Sequence, residues 1–401
     1  MMTPVVGLDV AKGATEGQAF LAKDQPYGTH FPIVHTMAGF ADFEERLQAL
    51  TAHAGCRPVM ILESTGPYHV PVVRFLEDHG YTYILLNPLV AHQAKQGTLR
   101  KVKTDAIDAY RLGNLFYKEG LEPARQHGRQ LLDLRLLTRH HEAVTGLLIQ
   151  AKQQFHALLA TVFPEYRGVF STLFSQVALR TLAVYPTADA VLAVTPSEVA
   201  ATIHTACRSR SAAWAAEKAQ QLQAAAERNP LRTADLPHQA FSLRLYSQLI
   251  AEHQAHLAAL DREIDALVQD IEACQLIQSI PGIGTTLAAT IIAEIGDMVR
   301  FEDPKKLVAF AGVDPRVHQS GQFTATVNRI TKRGSSRLRH ALFVAAMCGL
   351  RKSGSKRMQA VYQAKRAAGK PHKVALVACI NKLLHWIYAI VTRRQAFVDI
   401  A

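Results

Sequence analysis

Lys103-Thr104-Asp105-Ala106-Ile107-Asp108-Ala109-Tyr110-Arg111 is the stretch around which the predicted fold of this chain is arranged. Thr104 can cap a helix whose first turn carries Asp105 and, one turn on, Asp108. Residues three positions apart share a helix face, so both carboxylates point the same way. Two acids this close repel one another unless a cation or a proton lies between them. Acids are also common at any helix start, because they complement the helix dipole.

Two buried strands precede this helix, and each of them ends with an acid. Val5-Val6-Gly7-Leu8-Asp9-Val10 carries Asp9, and the strand over residues 58–63 ends on Glu63. The remaining pattern predicts strands near residues 17–21, 31–35 and 81–86, with helices over 40–54, 66–78 and from 88 onwards. Strands that alternate with helices indicate an α/β sheet, whose ligands gather at the carboxyl ends of the strands.

Asp9, Glu63, Asp105 and Asp108 are therefore expected to meet at one edge of this sheet. Four converging carboxylates require a metal ion, and hard oxygen ligands suit Mg²⁺ or Mn²⁺. Two such ions can clamp the attacking and leaving oxygens of a phosphodiester. The pattern resembles the RNase H-like fold of the RuvC type. An alternative is the phosphate loop of the sugar-kinase and actin ATPases, although no convincing Gly-rich loops follow downstream.

The bulk properties of the chain indicate a polyanionic partner. The 401 residues allow two or three domains, and the formal net charge is +12. Residues 315–398 contain 17 Lys or Arg and no Asp or Glu, which favours a phosphate-binding face over an ordinary solvated surface. Five scattered cysteines indicate neither a zinc site nor a disulfide framework. No signal peptide or membrane-spanning run is evident, so we expect a cytoplasmic protein.

The middle of the chain, residues 126–275, is predicted to be helical. Two apolar heptad patterns, one over residues 137–162 and one over 250–271, predict an antiparallel coiled coil, within one chain or across a dimer. His141 and His253 are interpreted as polar seam positions. Residues 165–240 are Ala-rich and interrupted by Pro186, Pro196 and Pro230.

The C-terminal part, residues 276–401, opens with a turn between two helices. Ser279-Ile280-Pro281-Gly282-Ile283-Gly284 is similar to a helix–hairpin–helix element, in which Gly282 and Gly284 could hold a DNA phosphate. It could equally be only a tight turn. A helix over residues 375–391 is expected to pack on one that starts near Leu338. Together with an α/β domain over residues 1–125, this gives an α/β plus all-α chain of three domains.

Seven short motifs occur in order and together resemble the DEDD transposases of the insertion-sequence 110 family, which includes Piv-like DNA invertases. The resemblance covers residues 1–125 and 275–395. The motifs are Gly7-Leu8-Asp9-Val10, Glu63-Ser64-Thr65-Gly66, Lys103-Thr104-Asp105-Ala106-Ile107-Asp108-Ala109, Pro281-Gly282-Ile283-Gly284, Ala311-Gly312-Val313, Gln319-Ser320-Gly321 and Ile330-Thr331-Lys332-Arg333-Gly334.

This resemblance implies a DNA recombinase guided by a structured bridge RNA that pairs with donor and target DNA. It also implies a RuvC-like metal site at the four acids and a nucleophilic serine at Ser320. Similar enzymes form homodimers and then a tetramer, with the active site shared between protomers, in the prokaryotic cytoplasm at the nucleoid. The residues expected to contact nucleic acid are Lys103, Gly282, Gly284, Arg316, Gly321, Arg329, Lys332, Arg333, Arg337 and Arg339.

The chemistry of such a site is coherent. A serine hydroxyl needs a base or a metal ion to become a nucleophile, and a phosphoserine intermediate would allow strands to be rejoined without ATP. Ser335 and Ser336 are competing nucleophiles, or else N-caps of an Arg-rich helix. Three alternative functions stay open: a Piv-like invertase, a RuvC-type nuclease that uses metal-bound water, and a non-catalytic nucleic-acid scaffold.

Overall fold

The computed structural model describes residues 3–63, 67–86, 105–119, 129–231, 236–315, 319–320, 323–324 and 329–399. It divides into two units. Unit 1 comprises Met1–Arg129 with Asp297–Glu302, and unit 2 comprises Gln130–Gly296 with Asp303–Ala401. The predicted boundary between residues 275 and 276 falls inside unit 2, so the division into three domains stays a prediction.

Unit 1 is built on a five-stranded mixed sheet. The strands are β1 (Val5–Val10), β2 (Ala14–Ala22), β3 (Gln25–Val34), β4 (Val59–Glu63) and β5 (Tyr83–Leu86). Their order in the sheet is β3-β2-β1-β4-β5, in which β1–β2 and β2–β3 pair antiparallel and β1–β4 and β4–β5 pair in parallel. The predicted α/β character is confirmed, and each predicted strand is present.

Helices cover both faces of this sheet, which is why its central strands read as continuous apolar runs. Helices α1 (Met37–Ala54) and α2 (Val70–Asp78) pack on one face against alternate residues of β1 and β4, such as Leu8 and Leu62. Helix α3 (Asp105–Glu119) covers the other face, where Leu112 and Leu115 join a core with the residues of opposite parity. Those residues are Val5, Val59, Ile61, Ile84 and Leu86.

Within the residues that the structure describes, unit 2 is helical apart from one short hairpin. Its two long helices, α4 (Arg129–Val162) and α9 (Pro237–Gln269), run antiparallel within the chain. His141 Nε2 lies 3.2 Å from Asp261 Oδ1, while residues 147–154 face residues 246–253 across a groove. The within-chain alternative for the two heptad runs is therefore observed.

Shorter helices fill the segment between this pair. They are α5 (Gln176–Val184), α6 (Ala188–Leu192), α7 (Pro196–Ala206) and α8 (Ala212–Arg228). Each has a Ser or Thr N-cap whose side chain accepts a backbone hydrogen bond, which explains where each one begins. The predicted breaks are confirmed, since Pro196 opens α7 and Pro186 precedes α6.

The last helices form the remaining part of unit 2. They are α10 (Glu272–Gln278), α11 (Thr285–Ile295), α12 (Pro304–Ala311), α13 (Ser336–Gly349), α14 (Lys356–Ala367) and α15 (His372–Arg393). Helix α15 is long and apolar enough to cross a membrane, but it packs as a core helix on α12, α13 and α14. The predicted packing of the helix over residues 375–391 on the helix near Leu338 is confirmed.

Candidate active site

Asp9 and Glu63 lie at one edge of the unit 1 sheet. Strands β1 and β4 pair in parallel with Leu8 opposite Leu62, so the next residues along each strand, Asp9 and Glu63, are neighbours. Side chains alternate between the faces of a strand, so both acids belong to the parity set of Val5 and Ile61. That set faces α3.

Helix α3 runs antiparallel to β1 and approaches it more closely than side chains would normally permit. A Cβ on Gly7 would lie 2.1 Å from the Ala109 carbonyl oxygen and 2.5 Å from the Gly113 nitrogen, so only glycine fits there. Further down the helix, the Tyr117 hydroxyl donates to the Thr3 carbonyl at 2.9 Å. Residue 117 is therefore level with residue 3, and residue 109 with residue 7. Extended by one more turn, this alignment predicts that the start of α3 lies at the level of Asp9.

The turn of α3 that reaches this level carries Asp105 and Asp108. Asp9 and Glu63 therefore end neighbouring strands on the sheet face that α3 covers, and α3 begins with the other two acids. The convergence of all four carboxylates stays a prediction. Asp105 is exposed, Asp9 and Glu63 are half-buried, and Asp108 is buried with 5 % of its surface exposed. The Arg111 guanidinium lies 3.3 Å from Asp108 Oδ1, one turn further along the helix.

These carboxylates match the oxygen donors that Mg²⁺ and Mn²⁺ prefer. Among the residues that the structure describes, no group of three or more His, Cys, Asp or Glu side chains forms a ready-made metal site. One Asp108 oxygen is directed towards Arg111. The donor chemistry and the shared edge fit a divalent cation, whereas the side-chain conformations would have to change to bind it. The four-acid ligand set stays a prediction.

Ser320 lies on the short hairpin of unit 2. Strand β6 (Gln319–Ser320) pairs antiparallel with β7 (Phe323–Thr324), and Ser320 and Phe323 are the last paired residues. The same antiparallel pairing recurs below, where Pro315 bridges Ile330 and the Thr331 N–H donates to the Asp314 carbonyl at 2.9 Å. Residues 314–315 and 330–331, called the hairpin base below, are thus paired along the main chain on either side of the segment that contains Ser320. The role of Ser320 as the nucleophile stays a prediction.

The base of this hairpin explains two of the glycine motifs. The Lys332 N–H donates to the Gly312 carbonyl at 2.9 Å, and a Cβ on Gly334 would lie 1.8 Å from the Phe310 carbonyl oxygen. The backbone at Gly334 therefore packs directly against the C-terminal end of α12, and there is no room for a side chain between them. The Thr331 hydroxyl donates to Asp314 Oδ1 at 2.5 Å and closes the base.

The predicted phosphate-binding cations fall into two groups. Arg329, Lys332 and Arg333 are exposed, as expected for such a role. Arg337 pairs with Glu142 at 2.6 Å. Arg339 donates to the Gly334 and Ala311 carbonyls at 2.7 and 3.3 Å, and burial lowers the pKa of its guanidinium. These contacts give the last two residues a structural role. Lys103, Arg316 and Gly321 lie outside the described residues, as do Thr104 and Ser64–Gly66.

Ser335 is an N-cap, which confirms one of the alternatives for this residue. Its hydroxyl oxygen accepts from the Leu338 N–H at 3.2 Å, while its own proton is donated to Glu294 Oε2 at 2.7 Å. Both functions of the hydroxyl are therefore occupied within the chain. Ser336 follows as the first residue of α13 and is exposed.

Glu294 is the buried acid that sequence reasoning missed. Arg139 donates to its two oxygens at 2.7 and 3.3 Å, and Arg135 donates to the neighbouring Ala293 carbonyl at 2.7 Å. Burial raises the pKa of the Glu294 carboxyl, but the hydrogen bonds from Arg139 and Ser335 and the nearby arginine charges outweigh it, so the pKa is lowered. The only sequence signal was a lone acid within the apolar helix α11. The network joins α4, α11 and the start of α13.

The Pro-Gly-Ile-Gly turn has the expected helix–turn–helix form, between α10 and α11. Gly282 has φ +99°, and a Cβ there would lie 2.6 Å from the Gly349 nitrogen, so internal packing requires this glycine. Gly284 is the N-cap of α11, has open space around it and provides no side-chain cap. The start of α11 therefore has no side-chain acceptor. Phosphate binding there stays a prediction.

Comparison with known proteins places these features in one family context. Residues 274–363 match a family model described as "Transposase IS116/IS110/IS902 family". Residues 6–164 match a second model, that of the DEDD transposases of the IS110 group, described as "Transposase". The two matches include the acids of unit 1 and the hairpin with Ser320.

Curated relatives agree with these matches. An uncharacterized 42 kDa protein of insertion element IS900 from Mycobacterium paratuberculosis is 28% identical over 74% of this chain and 73% of its own length. The transposase of insertion sequence element IS1111A from Coxiella burnetii is 32% identical over 38% of this chain and 42% of its own. The pilin gene-inverting protein of Moraxella bovis is 33% identical over 30% and 38%.

Proposed function

Because this chain belongs to the IS110 family of transposases and is a DNA transposase or recombinase, we propose that it cuts and rejoins DNA with a carboxylate-held divalent cation and a serine nucleophile. The observation that carries the proposal is that Asp9 and Glu63 end neighbouring parallel strands on the sheet face against which α3 packs at Gly7. An antiparallel β1–β2–β3 meander followed by the parallel strands β4 and β5 supports an RNase H-like fold of the RuvC type for unit 1.

In this proposal Asp9, Glu63, Asp105 and Asp108 hold Mg²⁺ or Mn²⁺. When bound, such ions stabilise negative charge that develops on phosphate oxygens. Arg111, which lies beside Asp108, contributes further positive charge at this edge. The carboxylates also repel a DNA phosphate when no cation is present, so cleavage depends on the divalent ion.

The serine step conserves the phosphodiester energy. The Ser320 oxygen attacks the scissile phosphorus, a new serine O–P bond forms, and the bond to one deoxyribose oxygen breaks. The serine proton passes to a nearby base, and the departing deoxyribose oxygen takes up a proton. Attack by a new DNA hydroxyl then reverses the sequence and joins the strands. Arg329, Lys332 and Arg333, which are exposed beside the hairpin base, would neutralise the non-bridging oxygens.

The proposed partners are donor DNA, target DNA and a non-coding bridge RNA that supplies the sequence specificity. Formal net charge of +12 suits polyanions of either kind. Assembly as a homodimer and then a tetramer, and a cytoplasmic location at the nucleoid, complete the proposal. The proposal of these partners rests on the family resemblance and on the net positive charge of the chain.

The central test is Ser320→Ala, with Ser336→Ala as the matched control. Ser336 is an exposed serine in the same part of unit 2. We expect Ser320→Ala to abolish strand joining and the covalent protein–DNA species on denaturing gels, while DNA binding persists. Ser336→Ala should behave like the wild type. A covalent species formed by Ser320→Ala would rule out this nucleophile, and turnover without any covalent species in the wild type would favour a RuvC-type nuclease.

Site-specific inversion is a second candidate, favoured by the similarity to the pilin gene-inverting protein. An invertase acts on two sites within one molecule and needs no free element. A plasmid with inverted sites separates the candidates, because an invertase flips the intervening segment whereas a transposase excises or inserts it. Full activity of an Asp9→Ala, Glu63→Ala double variant would instead support a non-catalytic scaffold.

A further inference from the structure

The Lys and Arg side chains of the acid-free run, residues 315–398, are not all available to bind another molecule. Of its 17 Lys and Arg, several are engaged by the protein itself. Arg357 donates to the Val398 carbonyl and stacks near Trp386 and Phe397, while Arg337 and Arg339 have the partners described above. These side chains stabilise unit 2. Only the remaining Lys and Arg side chains of the run are therefore available to bind another molecule.

Three of these cations surround the turn between α14 and α15. Lys365, Lys370 and Lys373 are exposed, and their ammonium groups form no hydrogen bond or ion pair with any residue that the structure describes. No acid occurs within the sequence from residue 315 to residue 398 to balance them. Three unpaired ammonium groups over nine residues are unfavourable unless they face solvent or an anion.

This turn is internally bonded, so the backbone that carries the three lysines is held in place. The Lys370 N–H donates to the Lys365 carbonyl at 3.1 Å, and the Arg366 guanidinium donates to the Lys370 carbonyl at 2.8 Å. The Tyr362 hydroxyl and His372 Nδ1 are 2.7 Å apart across the turn. A backbone fixed in this way loses little further conformational entropy when a ligand binds, so the cost of ordering is confined to the lysine side chains.

The start of α15 adds to the positive potential of the same surface. Pro371 is its N-cap and offers no side-chain acceptor, and Pro371 to Val374 are exposed. The 22-residue helix therefore presents the positive end of its dipole to solvent beside Lys370 and Lys373. The three lysines supply the full positive charges of this surface, and the helix end adds a partial positive charge.

We propose that the α14–α15 turn, defined by Lys365, Lys370, Lys373 and the start of α15, binds the phosphate backbone of duplex DNA. This inference rests on the proposed function only in taking DNA as the substrate. Residues 364–401 lie outside both family matches, so no family model assigns a role to this turn. Contacts of ammonium groups with phosphates read no sequence, so the turn holds DNA without selecting the site.

The test compares two triple variants that remove the same charge. Lys365→Gln, Lys370→Gln, Lys373→Gln removes the proposed contacts. Arg180→Gln, Arg208→Gln, Arg244→Gln is the matched control, since these three arginines are exposed in the α5–α9 region and have no partner among the described residues. Binding to a labelled DNA duplex and to a labelled RNA duplex is measured by anisotropy at several salt concentrations, with a chelator present so that no cleavage occurs. Thermal unfolding checks that both variants are folded.

We expect the lysine variant to reduce the slope of log K against log salt by about 2–3, since each phosphate contact contributes about 0.9. The control should keep the wild-type slope, and the loss should be the same for related and unrelated DNA sequences. An unchanged slope, or an equal loss in the control, would overturn the proposal. A loss confined to duplex RNA would also overturn it and assign the turn to RNA. Ser320→Ala should keep the wild-type slope, so failure of the catalytic proposal would be recognised separately.

Discussion

At the scale of single residues, Glu294 shows how a buried charge is tolerated. The carboxylate is 5 % exposed, and Arg139 and Ser335 satisfy its oxygens. We expect Glu294→Gln to lower the free energy of unfolding by about 1–3 kcal/mol, because the neutral amide accepts weaker hydrogen bonds from Ser335 and from the exposed Arg139 guanidinium than the buried carboxylate does. Chemical denaturation at neutral pH measures this loss.

The same residue predicts a pH dependence with a definite sign. The folded-state pKa of Glu294 lies below its ordinary value, so its stabilising contribution is fully present above the unfolded pKa and is lost as the pH falls through the folded pKa. Wild-type stability should therefore fall more steeply on acidification below about pH 4.5 than that of Glu294→Gln. Glu252→Gln is the control, since this carboxylate in α9 is exposed and has no partner among the described residues. Parallel curves for wild type and Glu294→Gln would contradict the prediction.

Residue types explain why some site positions were predictable and others were not. Acids at strand ends have a sequence signature, and Asp9 and Glu63 were placed correctly at one edge from that signature alone. Glu294 carries no such signature, because its partners Arg139 and Ser335 are far away in sequence. Arg339 resembled a phosphate ligand in sequence, whereas its guanidinium bonds two main-chain carbonyls of its own unit.

At the scale of elements, the contact between α3 and β1 depends on one glycine. We expect Gly7→Ala to cost about 1–3 kcal/mol of stability, because its Cβ would meet backbone atoms that cannot rotate away. Displacement of α3 would also move Asp105 and Asp108 from the sheet edge. DNA cleavage should therefore fall by more than the loss of folded protein explains, as measured by unfolding and cleavage assays on the same preparation.

Gly146→Ala is the matched control for this element. Gly146 lies within α4, and a Cβ there would meet nothing within 4 Å beyond the backbone of its own helix, so alanine should stabilise the helix by about 0.5–1 kcal/mol. The two substitutions are chemically identical and should have opposite signs. A neutral Gly7→Ala would mean that the helix can retreat from the sheet without consequence.

The hairpin that carries Ser320 yields a second prediction at this scale. Thr331→Val removes the hydroxyl contact with Asp314 but keeps the main-chain pairing of the base. Loosening this base should slow strand joining by about 10-fold, since small displacements of a reacting group are costly, while DNA affinity stays unchanged. Thr161→Val is the control, because its hydroxyl bonds only to its own helix. Equal joining rates for both variants would contradict the prediction.

Element boundaries were predictable only where one face of the element is buried. Strand β3 extends over Gln25–Val34, whereas the sequence predicts only its second half. The residues up to His30 are mostly exposed and show no apolar alternation, so the sequence pattern gives no sign of a strand there. The pairing order of the five strands also lay beyond the sequence, since it depends on contacts between residues distant along the chain. The antiparallel α4–α9 pair was predictable because its heptads are long.

At the scale of the whole molecule, the charges proposed for chemistry and for affinity belong to different units. The predicted ligand acids lie in unit 1, and the acid-free run of 17 cations lies in unit 2. The uneven distribution of charge between the two units is predictable from the sequence, because charge follows from composition. The sequence could not predict which Lys and Arg side chains are bonded within the protein. DNA affinity and DNA chemistry should therefore respond to different changes.

Removal of divalent metal tests this separation. With a chelator present, or in an Asp9→Asn, Glu63→Gln variant, we expect strand cleavage to be lost, because the carboxylates then hold no cation against the phosphate. DNA affinity should be equal or higher in the double variant, since two negative charges that repel the backbone are gone, and the salt slope set by the unit 2 cations should not change. Cleavage and anisotropy assays on one preparation measure both quantities. Loss of binding together with cleavage would instead mean that the acids hold the fold together, and thermal unfolding of the same variant would reveal it.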